Sequence, residues 1–319
     1  MGSNMKIEDI RKILIVGAGT MGQQIAFQCA VSGYEVVLYD VDTSVLQASL
    51  KRIEKLARFF LDSGKWTQND IETAIRRIHG SSSPEEAATG VDFVSESVPE
   101  DPALKARVFS QFNLICPEHT IFTTNTSTLI PSMFAEATGR PDRFAALHFH
   151  DIRMTDIVDI MPHAGTSAET LDLIRAFAAR IGQVAILLKK ENYGYVFNAM
   201  LSEVFKAAQT LAANGVAGLE DIDRAWMGVM NTPVGPFGMM DSIGLDTVWK
   251  VTDYWAQKND DPQALANAAF MKTYVDAGRL GTKTGRGFYR YPNPAFASPQ
   301  FLSGISETNW DSDSSRQAI

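Results

Sequence analysis

The stretch Ile13-Leu14-Ile15-Val16-Gly17-Ala18-Gly19-Thr20-Met21-Gly22 decides how the rest of the chain is read. Its apolar, Ile- and Val-rich start has the character of a buried parallel strand, and it runs through Gly17-x-Gly19-x-x-Gly22 into a helix-forming segment, Gln23 to Val31. Gly17 permits the tight turn, Gly19 lets backbone approach a pyrophosphate, and Gly22 lets helix and strand pack closely. With Thr20 and Met21 at its start, the helix offers N–H groups and a partial positive charge to phosphates. A second strand, Glu35-Val36-Val37-Leu38-Tyr39, ends in Asp40. A carboxylate there accepts from the ribose 2′-hydroxyl of NAD and repels the 2′-phosphate of NADP, so the expected cofactor is NAD.

A length of 319 residues suggests two domains. The net charge of −8 argues against a nucleic-acid partner, and no apolar run approaches a membrane span. The two cysteines, Cys29 and Cys116, lack metal-ligand spacing, so no metal is expected and a reduced, cytoplasmic compartment is. Met1-Gly2-Ser3-Asn4 looks like an addition ahead of a native Met5, not a targeting segment.

Strand and helix signals alternate up to Asn192. Helices are expected from Ser44 to about Asp62, after the cap Thr67-x-x-Asp70, from Pro102 to Ile115 and from Ser167 to Ile181. Strands are expected at 91–94, 120–124, 144–149, 157–161 and 184–188. This is the pattern of an α/β fold with a Rossmann-type doubly wound sheet. From Tyr193 the signals turn helical, at 195–214, 219–227, 235–243, 245–257 and 262–277. The expected organisation is a nucleotide-binding domain over 5–192, an all-helical C-terminal domain over 193–291, and a tail over 292–319 that wanders over the surface or is partly disordered.

A dehydrogenase acting on an alcohol needs a base near the carbinol oxygen, a group that fixes the base's tautomer, and donors to the carbonyl oxygen. His148 lies near the carboxyl end of the strand Ala145-Ala146-Leu147-His148-Phe149, and open α/β sheets bind ligands at the carboxyl ends of their strands. Asp159, on the next strand-like run, could hold one imidazole nitrogen and leave the other for the substrate. His150 lies on the same face of an ideal strand, and spacing alone does not choose between the two histidines.

Further blocks carry a resemblance. Asn125-Thr126-Ser127-Thr128-Leu129, His148-Phe149, Gly194-Tyr195-Val196-Phe197-Asn198, Val234-Gly235-Pro236-Phe237, Asp241-x-x-Gly244-Leu245-Asp246 and Lys283-Thr284-Gly285-Arg286-Gly287-Phe288-Tyr289 stand in one order along the chain. In these the chain resembles the 3-hydroxyacyl-CoA dehydrogenase family, of the short-chain, single-function type. The resemblance implies NAD-dependent oxidation of an (S)-3-hydroxyacyl-CoA and a homodimer formed through the helical domain. It further implies His148 as general acid/base oriented by Asp159, and Ser127 and Asn198 on the reacting oxygen. Asn125 would lie beside the nicotinamide, with Glu100 and Lys105 as further cofactor contacts.

Two departures from the family pattern stand out. Asp159 falls where the family has a glutamate, and the loop after His148, Phe149-His150-Asp151-Ile152-Arg153, is one residue shorter. Val98-Pro99-Glu100-Asp101, Leu129-Ile130-Pro131-Ser132 and Met161-Pro162-His163 also resemble relatives that oxidise free hydroxy acids, of the L-gulonate dehydrogenase (λ-crystallin) and carnitine dehydrogenase kinds. Arg153 could clamp a free carboxylate, and Lys51, Lys55 and Arg58 on one helix face could meet CoA phosphates. The same three basic residues also suit an ordinary solvated face. An alternative of another class is a catalytically silent nucleotide-binding structural protein.

Overall fold

The computed structural model describes residues 5–303 and divides the chain into two compact units, Met1–Ala199 and Met200–Ile319. The reading of residues 1–4 lies outside the described residues. In the first unit eight strands form one sheet: β1 (Lys12–Val16), β2 (Glu35–Tyr39), β3 (Ile78–Ser81), β4 (Phe93–Glu96), β5 (Ile121–Thr124), β6 (Phe144–Phe149), β7 (Ile157–Met161) and β8 (Val184–Leu187). Their order across the sheet is β3-β2-β1-β4-β5-β6-β7-β8, and every neighbouring pair is parallel except β6–β7.

Strand alternation builds a core on each face. Ile13, Ile15, Val36 and Leu38 face one way, under α1 (Thr20–Val31), α2 (Thr43–Asp62), α3 (Gln68–Arg76) and Phe177 and Ile174 of α6 (Ala168–Arg180). Leu14, Val16, Val37 and Tyr39 face the other way, against α4 (Pro84–Ala88) and Phe109 and Phe112 of α5 (Pro102–Ile115). The expected cap before α3 forms as a reciprocal Thr67–Asp70 capping box.

Among the strands and α-helices, β3 and α4 are not expected from the sequence. The run Ile78-His79-Gly80-Ser81 is poor in β-formers; it becomes a strand by pairing with β2 at the sheet edge. The antiparallel turn of β7 was also unforeseen, because an apolar run carries no sign of its direction.

Helix α7 (Phe197–Ala213) runs from the first unit into the second. The second unit also holds α8 (Leu219–Met230), α9 (Pro236–Ile243), α10 (Leu245–Asn259) and α11 (Pro262–Asp276), packed around Phe237, Met240, Leu245, Met271 and Phe288. The Asp241 carboxylate accepts from the backbone N–H of Phe288 and Tyr289 and from the Tyr291 hydroxyl. A Cβ on Gly287 would stand 1.9 Å from Asp241 Oδ1, so glycine is required there. Part of the presumed tail packs as well: Phe301 is buried, and Arg224 donates to its carbonyl at 2.6 Å and lies over its ring. The tail expectation thus gives way for residues 295–303, and beyond them it falls outside the described residues. No helix among the described residues is long and apolar enough to cross a membrane.

Candidate active site

The glycine turn joins β1 to α1 as its residues dictate. Gly17 has φ +103°, and a Cβ there would meet the Ser97 carbonyl oxygen at 2.7 Å. A Cβ on Gly22 would stand 1.9 Å from the Gly17 oxygen, so the third glycine sets how closely helix and turn approach. Gly19 differs: a Cβ added there meets nothing within 4 Å. Space is left at the position where a pyrophosphate needs it. The first helical bond runs from Gln23 N–H to the Gly19 carbonyl, so the N–H groups of Thr20, Met21 and Gly22 precede the ladder, as a phosphate site requires. Asp40 sits at the end of β2, where Oδ2 accepts from Ala18 N–H at 2.9 Å and Oδ1 from Asp42 N–H at 3.0 Å. These residues fit a dinucleotide.

His148 and Asp159 are direct cross-strand partners in the β6–β7 pair. His148 Nδ1 lies 3.1 Å from Asp159 Oδ2, and both side chains are buried. The aspartate, one methylene shorter than glutamate, reaches because the strand register puts it opposite the histidine. His150 Nε2 lies 3.1 Å from the same oxygen. Of the other nearby acids, Asp156 pairs with Lys65 at 2.7 Å and Asp151 with Arg153, so neither replaces Asp159. Burial lowers the His148 imidazole below its ordinary value, against the opposing pull of its Asp159 hydrogen bond. For Asp159, burial works upward, but the hydrogen bonds from His148 and His150 prevail and bring the carboxyl down to about 2.

The loop after β5 carries the next group. Asn125 Oδ1 accepts from Phe149 N–H at 2.8 Å and so ties this loop to the end of β6. Asn198, near the start of α7, donates to the Ser127 carbonyl at 3.2 Å, which brings those two residues together. Glu100 accepts from Ser127 N–H at 3.0 Å, Thr128 Oγ1 at 3.0 Å and the Thr126 hydroxyl. Burial acts to raise the Glu100 carboxyl, but Lys105 and these hydroxyls outweigh it and hold it low. Lys105 is itself buried, 2.8 Å from Glu96 Oε1 and 3.3 Å from Glu100 Oε2. Its ammonium therefore meets carboxylates on both sides and bears on the site through Glu100.

Three contributors went unassigned in the sequence reading. Glu96, the last residue of β4, is fully buried and accepts from Lys105, from Thr124 Oγ1 at 2.6 Å and from Val98 N–H at 2.7 Å. A charged residue ending a buried strand was the available signal. Tyr195 packs its ring 4.9 Å from that of His148 and holds a left-handed backbone with φ +57°, unusual for a tyrosine. Nothing in residue type or spacing announces that conformation. Spacing makes His150 a rival base; the geometry makes it a second partner of Asp159, 3.1 Å from Oδ2.

Arg153 is exposed and its guanidinium fork is engaged by Asp151, with Nε 2.9 Å from Oδ1. Lys51, Lys55 and Arg58 lie exposed along α2.

Comparison with known proteins places the chain in a family. Residues 12–191 match the model of the 3-hydroxyacyl-CoA dehydrogenase NAD binding domain, and residues 194–291 that of the 3-hydroxyacyl-CoA dehydrogenase C-terminal domain. A probable 3-hydroxybutyryl-CoA dehydrogenase of Bacillus subtilis is 35% identical over 284 residues, covering 89% of this chain and 98% of that protein. The mitochondrial hydroxyacyl-coenzyme A dehydrogenase of Sus scrofa is 31% identical, over 88% of this chain and 91% of its own length. Among solved structures, (S)-3-hydroxybutyryl-CoA dehydrogenase PaaH1 from Ralstonia eutropha superposes with a TM-score of 0.81 at 33% identity, covering 89% of this chain and all 100% of the other. A diketoreductase superposes equally well, with a TM-score of 0.81 at 37% identity over 88% of this chain and 99% of its own. On its sequence, its fold and its matched domains, the chain belongs to the 3-hydroxyacyl-CoA dehydrogenase family.

Proposed function

We propose that this family member oxidises the hydroxyl of a short-chain (S)-3-hydroxyacyl-CoA reversibly, with His148 as the acid/base. The buried His148–Asp159 pair across β6 and β7 carries this reading. With Nδ1 turned to Asp159, Nε2 is the nitrogen that takes the hydroxyl proton. Asp159 fixes that tautomer and balances the charge that forms on the ring. NAD, when bound, supplies the acceptor for the hydride. Gly17, Gly19, Thr20, Met21, Gly22 and Asp40 hold it, and Asn125 and Glu100 border its reactive end. Ser127 and Asn198 steady the oxygen as it becomes a carbonyl.

The engaged fork of Arg153 favours a thioester over a free hydroxy acid, since a guanidinium held by Asp151 must break that pair to clamp a carboxylate. Lys51, Lys55 and Arg58 are the candidate CoA phosphate contacts. A homodimer through the helical unit is supported by its exposed apolar side chains, with Val229 84% and Tyr254 58% exposed; analytical ultracentrifugation tests it. The free, buried thiols of Cys29 and Cys116 fit a cytoplasmic enzyme, which cell fractionation checks.

The deciding assay follows NADH oxidation with acetoacetyl-CoA, then NAD reduction with gulonate, carnitine and 3-hydroxybutyrate. Turnover with the thioester alone supports the proposal. Turnover with a free acid alone overturns it, and no turnover at all points to a catalytically silent protein. H148Q should lose about 10²–10⁴-fold in kcat with NAD affinity unchanged.

A further inference from the structure

Two imidazoles converge on one carboxylate oxygen, which is more than an acid/base pair requires. His148 stands next to last in β6 and His150 one residue past the strand's end, and both rings turn to Asp159. Asp159 is the cross-strand partner of His148, and its Oδ2 lies 3.1 Å from His148 Nδ1 and 3.1 Å from His150 Nε2. One ligand atom from each of the three residues lies within 4.8 Å of the others. Two ligands on a tetrahedral ion with bonds of about 2.1 Å stand ~3.4 Å apart, within a few tenths of an ångström of both spacings found here. His148 and Asp159 sit on two paired strands, so their backbone is fixed by the sheet, and His150 follows directly on the end of β6. Two imidazole nitrogens and one carboxylate suit Zn²⁺, Co²⁺, Ni²⁺ or Cu²⁺, and they suit Mg²⁺ and Ca²⁺ poorly, since those ions take oxygen ligands.

We propose that His148, His150 and Asp159 form a binding site for a divalent transition-metal ion, and that its occupation switches the dehydrogenase off. The second half rests on His148 being the base. To coordinate, neutral His148 releases the proton on Nδ1 and takes one up on Nε2, so its proton count is unchanged. Nε2 then carries a hydrogen and has no lone pair for the substrate hydroxyl. His150 makes the corresponding shift from Nε2 to Nδ1. The Asp159 oxygen, taken by the ion, stops steering the His148 tautomer, and water completes the coordination.

The test uses the full chain, freed of metal by a chelator and dialysed. Co²⁺ is titrated in while its visible d–d bands are read, and in parallel turnover is measured against Zn²⁺ and Mg²⁺. One equivalent of Co²⁺ should give the intense bands of a low-coordinate site, displaced by Zn²⁺. Zn²⁺ should abolish turnover over the same concentration range, while Mg²⁺ does neither. H150Q keeps a donor toward Asp159 but offers no nitrogen ligand. It should bind Co²⁺ at least about tenfold more weakly, and its half-inhibition by Zn²⁺, relative to its own metal-free rate, should shift by the same factor. H150N serves the same comparison if H150Q does not fold. H148Q should also weaken Co²⁺ binding, a readout that needs no turnover and so stands apart from the assignment of the base. Equal Co²⁺ spectra and affinity in wild type and H150Q would overturn the site, and saturating metal with turnover intact would overturn the switch.

Discussion

Burial of the His148 ring lowers its pKa and so extends toward acid the pH range in which it can act as a base. A lowered imidazole pKa keeps Nε2 able to accept a proton at pH values where an ordinary histidine is largely charged. Oxidation needs the neutral ring, so the acid limb of kcat/KM in chelator-treated buffer should fall below the ordinary value of about 6.5. Reduction needs the charged ring and should rise toward acid through the same region. A profile of kcat/KM in both directions checks this, and an acid limb at or above the ordinary value would contradict it. His148 and Asp159 were legible in the sequence as polar residues in strands next to one another. The shared Oδ2 with His150 was not, because it depends on a cross-strand register that spacing does not reveal.

Among the elements, the β1–α1 turn separates folding from cofactor binding residue by residue. Gly19 has an extended backbone, and an added Cβ meets open space. G19A should therefore melt within about 0.5 kcal/mol of wild type yet bind NADH at least about tenfold more weakly. G22A drives a Cβ into the Gly17 carbonyl and should lose about 1–3 kcal/mol of stability whether or not cofactor is added. Thermal melts beside NADH fluorescence titrations distinguish the two, and equal stability losses would sink the distinction. The sheet was legible because parallel strands buried on both faces read as apolar runs, as β1 and β2 do. β3 was hidden by Gly80 and Ser81, and the reversal of β7 by the lack of any local signature for strand direction.

At the scale of the whole molecule, each unit is organised around buried acids. In the first, Glu96 joins β4 to α5 through Lys105 and to β5 through Thr124. In the second, Asp223 accepts from Phe237 N–H, Gly238 N–H and the Tyr289 hydroxyl, while Asp241 holds the 288–291 segment. Removing one partner strands a charge: K105M should cost about 3–5 kcal/mol in urea unfolding, and the E96Q/K105M pair should recover part of that loss. A K105M protein as stable as wild type would show that the pair contributes little. The Asp241 cluster accounts for Gly287 of the Lys283-to-Tyr289 motif, and a left-handed φ of +72° for Gly285, which sequence alone could mark but not explain. The antiparallel seam between β6 and β7 has a bearing on how such an enzyme diversifies. Backbone pairing, not the connecting segment, sets His148 against Asp159. Residues 151–156 are thereby released from keeping the catalytic pair aligned. Insertions, deletions or wholesale replacement there could redirect substrate choice while the proton-transfer machinery is inherited intact, which makes this short loop the natural place to randomise a library.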